Sequence, residues 1–113
     1  MSNRQLFVDF ELHADDDLGF KKELIGLMIN NLQELKEALE ISLRLADMSY
    51  YKKACHKVSS TIALLADNEF NEIVQEIKVN SSDPNVERFT TIHAELVKSL
   101  EQEQQNDTSY QPH

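Results

Sequence analysis

Two glycines and two prolines in 113 residues leave the chain almost without the punctuation that tight β-hairpins need. Long uninterrupted helices have room instead. One cysteine, Cys55, excludes an internal disulfide. Basic residues are few, 11 against 20 acidic ones, and the net charge of −9 argues against nucleic acid or an anionic membrane as partner. No apolar run is long enough to span a bilayer, and the opening MSNRQLFVDF does not read as a signal peptide, so the expected compartment is the cytoplasm. In that setting the sequon matches at Asn80-Ser81-Ser82 and Asn106-Asp107-Thr108 carry no meaning. What is present is 41% hydrophobic residues, enough for one globular core in a chain too short for two.

The apolar residues are spaced for helices. QLFVDFELHADDD reads as a short helical or extended lead-in, with Asp15, Asp16 and Asp17 offering cap oxygens to the next helix. From Leu18 to Ala46, residues Phe20, Leu24, Leu27, Met28, Leu32, Leu35, Leu39, Leu43 and Ala46 recur at helical spacings. A helix of that length spans roughly 40 Å. Asp47, Met48 and Ser49 form a turn, and a second long helix is expected from Tyr50 to Leu65 or Ala66. Asp67-Asn68 restarts the chain before Phe70, Ile73, Val74 and Ile77. Asp83-Pro84 opens a last helix carrying Val86, Phe89, Ile92, Leu96, Val97 and Leu100. The expectation is an all-α antiparallel four-helix bundle over residues 1–100, with a disordered polar tail over 101–113.

The stretch YYKKACHKVSS holds the residue with the most chemistry. On a helical wheel Tyr51, Ala54, Cys55, Val58, Ile62 and Leu65 share a core arc, and His56 lies roughly 150° from its centre. Its imidazole should stand in water beside Lys52 and Lys53, with Ser59 and Ser60 one turn on. Three lysines near one histidine, Lys52, Lys53 and Lys57, suit a phosphoryl group, which carries roughly −1.5 to −2 charge. A neutral imidazole offers a nitrogen lone pair as nucleophile. An ordinary solvated histidine would occupy the same wheel position. His93 falls instead within the apolar stripe of the last helix, which suggests a partly buried histidine with one hydrogen bond.

ACHKVSS, on the second long helix, resembles the motif of histidine-containing phosphotransfer (HPt) domains. That motif runs alanine, the phospho-accepting histidine, any residue, an aliphatic residue, lysine, glycine, then small residues. DLGFKKELIGLMINNLQELKEAL resembles the family's preceding helix. The resemblance implies that His56 is the phospho-acceptor and Val58 the aliphatic position. Ser59 stands where the family has lysine, Ser60 where it has glycine, and Cys55 where it has alanine. Lys52, Lys53, Ser59 and Ser60 would then support the phosphoryl group electrostatically.

That resemblance implies a phosphorelay intermediate, a monomeric phosphocarrier with no enzymatic activity of its own. It would exchange a phosphoryl group with a receiver domain of a response regulator or a sensor histidine kinase, binding no metal because Mg²⁺ sits in the receiver. The competing expectation is a module of the same fold that docks such a partner without transfer, as the absent lysine suggests. Two other chemistries fit poorly. A di-iron bundle needs Glu-x-x-His pairs, and no histidine here has a glutamate three residues before it. Cys55 sits on the core arc, as a packing residue rather than an exposed nucleophile.

Overall fold

The described residues of the computed structural model, 4–15 and 17–109, form six helices and no strand. They are α1 (Phe10–Ala14), α2 (Leu18–Leu45), α3 (Ser49–Lys57), α4 (Ser59–Leu65), α5 (Asn68–Val79) and α6 (Asp83–Ser109). Aspartates start three of them. Asp9, Asp17 and Asp67 each accept a hydrogen bond from an amide of the first turn that has no partner within its own helix. Asp16 lies outside the described residues. With glycine scarce, the left-handed residues that end α1, α2 and α4 are Asp15, Ala46 and Ala66, at φ of 51°, 55° and 52°.

The expected second long helix is two. Val58, at φ −101° and ψ 18°, separates α3 from α4. The physical reason lies in the run Val58 to Ile62, where β-branched and serine residues all favour helix weakly. The core stripe nevertheless continues across the break. Tyr51, Ala54, Cys55, Val58, Ile62 and Leu65 are all buried, as their spacing requires.

α2 packs against α3 and α6, while α5 packs against α6 and α3. As numbering rises along α2 from Lys21 to Leu32, its bonded partner on α6 falls from Glu103 to His93, so the two helices are antiparallel. Asn31 with Thr61 and Glu34 with Lys57 give α2 the same antiparallel register against α4 and α3.

The buried stripe of α2 is narrower than the leucine count suggests. Ile25, Met28, Leu32, Leu35, Leu39 and Ser42 are buried at strictly alternating spacings of three and four. Phe20, Leu27 and Leu43, expected in the core, flank that seam and are exposed. Ser42 is fully buried, and its hydroxyl accepts a 2.8 Å bond from the Tyr51 amide. It thereby serves an amide in the first turn of α3, whose cap residue Met48 has no side-chain oxygen to offer.

Phe89 is the aromatic centre of the core, 5.8 Å from the Phe70 ring, 6.3 Å from Tyr51 and 5.6 Å from the His93 imidazole. The Tyr51 hydroxyl donates to the Val74 carbonyl at 2.9 Å, which settles its one buried polar group.

Part of the stretch expected as a polar tail, from residue 101 to 109, lies in α6. α6 continues to Ser109, because Glu and Gln after Leu100 are good helix formers and nothing interrupts them. Glu103 pairs with Lys21 at 2.8 Å, and the Gln104 amide donates to the Lys22 carbonyl at 3.0 Å. The last four positions of the expected tail, and His113 with them, lie outside the described residues.

The lead-in crosses the end of α5 and the side of α6. Arg4 makes a bidentate contact with Asp67, at 2.8 and 3.0 Å, and reaches Glu69 and Glu95 as well. Its backbone carbonyl accepts from the Ser99 hydroxyl at 2.7 Å. No helix among the described residues is long and apolar enough to cross a membrane.

Candidate functional site

His56 lies in the last turn of α3 and is exposed. Among the described residues no hydrogen bond or ion pair engages its ring. The turn before it supplies Lys52 and the start of α4 supplies Ser59. With His56 these residues form one wall of a groove of about 440 Å³ between α3–α4 and α5. The opposite wall is a polar stripe on α5, Asn71, Gln75 and Lys78.

The two helical walls meet at the Ala66–Asp67 turn. His56 on α3 and Lys78 in the last turn of α5 line the same groove from its two walls. Lys78 is half-buried, and its ammonium acts on the thiol of Cys55, the neighbour of His56 in the chain. Burial pushes that thiol up, against its hydrogen bond with the Tyr51 hydroxyl and the Lys78 charge, so Cys55 stays a neutral packing group.

The groove has a cationic end. Lys52 and Lys78 have no ion-pair partner among the described residues. Among the described residues the one carboxylate that lines the groove, Asp67, is buried at its far end and already bonded twice by Arg4. Burial alone would raise that carboxyl. The Arg4 guanidinium and the Phe70 amide outweigh burial and hold it below the usual carboxylate range.

The sequence-expected site residues therefore divide. His56, Lys52 and Ser59 share the groove; Lys53 and Ser60 are exposed but do not line it. Lys57 is drawn to the other side, onto Glu34 at 2.7 Å. Sequence reasoning missed Lys78 and Gln75. A signal for them exists: on α5 the acids Glu69, Glu72 and Glu76 share one stripe, while Asn68, Asn71, Gln75 and Lys78 form a second stripe with no acid.

His93 offers a different environment. It is buried, its Nε2 lies 2.7 Å from the Leu32 carbonyl, and its ring stacks on Phe89. The one hydrogen bond expected of it is the one it makes. A second groove, about 670 Å³, runs beside it between α2 and α6, but its rim mixes Lys36 and Lys98 with Glu37, Glu40 and Glu101.

The His56 groove can receive a small anion beside an uncommitted imidazole. Among the described residues no three His, Cys, Asp or Glu side chains gather as metal ligands. Compared with known protein families, with curated proteins and with solved structures, the chain has no significant match in any of the three.

Proposed function

We propose that the chain is a phosphocarrier of the HPt kind, in which α2, α3–α4, α5 and α6 act as the four arms of a helical bundle presenting His56. One observation carries the reading: the single histidine that is both exposed and uncommitted on this helix stands at the cationic end of a groove. In transfer, the Nε2 lone pair of His56 forms a P–N bond as the P–O bond of a receiver's aspartyl phosphate breaks. The electron pair leaves on the aspartate carboxylate, and Nδ1 keeps its proton. Mg²⁺ in the receiver neutralises the developing charge on that side. On this side Lys52 and Ser59 support the phosphoryl oxygens. The reverse step hands the group to a second receiver, with His56 as leaving group.

A second reading rests on Ser59 and Ser60, which replace the motif lysine and glycine. In it the chain docks a receiver or kinase through the same face and carries no phosphate. Receiver domains charged with acetyl phosphate and Mg²⁺ separate the two. The phosphocarrier reading expects acid-labile, base-stable phosphate on the wild type and none on His56→Gln. A receiver that binds wild type and His56→Gln equally, with transfer to neither, establishes the docking module instead.

A further inference from the structure

Ser59 stands on α4 where the resembled motif has lysine, and Lys78 stands on the opposite wall of the same groove. We infer that Lys78, facing His56 across the groove from α5, takes over the role of the missing lysine and holds the phosphoryl oxygens on His56. The inference rests on the phosphocarrier reading and names the second residue that makes it work.

Three observations lead there. Lys78, on α5, lines the groove opposite the wall that carries His56. Its charge is felt at Cys55, the residue next to His56. It also has no acidic partner among the described residues, although nine more negative than positive charges are available in the chain. Lys57, the closest lysine in sequence, is by contrast held by Glu34. A lysine in the last turn of a helix is ordinary, since it complements the helix dipole. Position across from the histidine is what separates Lys78 from that ordinary role.

Ser59 gains a meaning from this arrangement. A lysine at position 59 would add another ammonium to the groove that Lys78 already supplies with one, and like charges repel. Serine leaves the space open and adds a hydroxyl donor. Lys52 from the preceding turn and Lys78 from the opposite wall would then flank the phosphoryl group on two sides.

The test uses the full chain with two small probes. Potassium phosphoramidate phosphorylates histidine without any partner protein, and its rate at His56 is followed by mass spectrometry. Inorganic phosphate is titrated separately while the amide signals of His56, Ser59 and Lys78 are recorded by NMR. The variants are Lys78→Gln, Lys78→Arg, and Lys98→Gln as a control on α6. The inference expects Lys78→Gln to slow His56 phosphorylation and weaken phosphate binding, each about fivefold, the loss of one nearby unit charge in a wet site. Lys78→Arg restores both, and Lys98→Gln changes neither. If Lys78→Gln matches wild type in both assays while His56 is phosphorylated, the inference is overturned and the acceptor reading survives. If wild-type His56 takes no phosphoryl group although phosphate binding still depends on Lys78, the acceptor reading fails and leaves a bare anion site.

Discussion

Replacing Arg4 with methionine tests how the lead-in is fastened to the helices. The guanidinium makes four hydrogen bonds to three carboxylates, which differ in worth. Glu69 and Glu95 have side chains about half exposed, at 53% and 44%, so each pair contributes at most about 1 kcal/mol. Asp67, at 3%, is another matter. Without Arg4 its carboxylate remains buried, with backbone amides as its partners, and stranding such a charge costs about 2–3 kcal/mol. The expected total is about 3 kcal/mol. In urea denaturation with a slope of about 1.5 kcal/mol/M, the midpoint falls by about 2 M. Asp67→Asn in the same background supplies a double-mutant cycle, and coupling of about 2 kcal/mol is expected between the two sites. The pair also leaves a pH signature. Because the folded Asp67 carboxyl is held below its ordinary value of 3.8, its contribution is complete above about pH 4 and is lost as pH falls further. A loss below about 1 kcal/mol for Arg4→Met, or a coupling indistinguishable from zero, refutes the assignment of Arg4 as the clamp.

Other positions give sharper local tests. Ala46 and Ala66 hold left-handed backbone that costs a side-chain-bearing residue about 1 kcal/mol, so Ala46→Gly and Ala66→Gly should each stabilise by about 0.5–1 kcal/mol, read as a higher thermal midpoint. Ser42→Ala removes the buried acceptor of the Tyr51 amide and should cost about 1–2 kcal/mol, whereas Ser60→Ala, exposed on α4, should cost almost nothing. Burial holds His93 below the ordinary histidine value of 6.5, against the raising effect of its bond to Leu32. Its folded form therefore resists protonation, and stability measured by denaturation should be full above about pH 6.5 and decline as pH falls below it. His93→Phe should flatten that slope.

Much of the fold was legible because short-range physics decided it. The aspartates before α2 and α5 announced their helices, and the wheel placed Tyr51, Cys55 and Val58 inside and His56 outside without tertiary knowledge. His93 was legible for the same reason, lying within the apolar stripe of α6. The misses share a different cause. Leucines on both flanks of α2 made its apolar arc broad, and only the positions of α3 and α6 choose the seam through Ile25 and Ser42 over Leu27 and Leu43. The break at Val58 is a contest between weak helix formers and a continuous core stripe, which periodicity alone does not settle. α6 runs past Leu100 with the support of Lys21 and Lys22, each 82 positions from its partner in the chain. Lys78 was missed because a site built from two helices is half invisible when one helix is read at a time.

We propose that His56 receives and gives up a phosphoryl group. The most direct test is to incubate the chain with a receiver domain charged by acetyl phosphate and Mg²⁺, then locate the phosphoryl group by fragmentation of the intact phosphoprotein. The account predicts modification at His56 alone, absent from His56→Gln and lost again when uncharged receiver is added. A receiver that binds the protein firmly yet leaves His56 unmodified, or a phosphoryl group found on His13 or His93 instead, contradicts it.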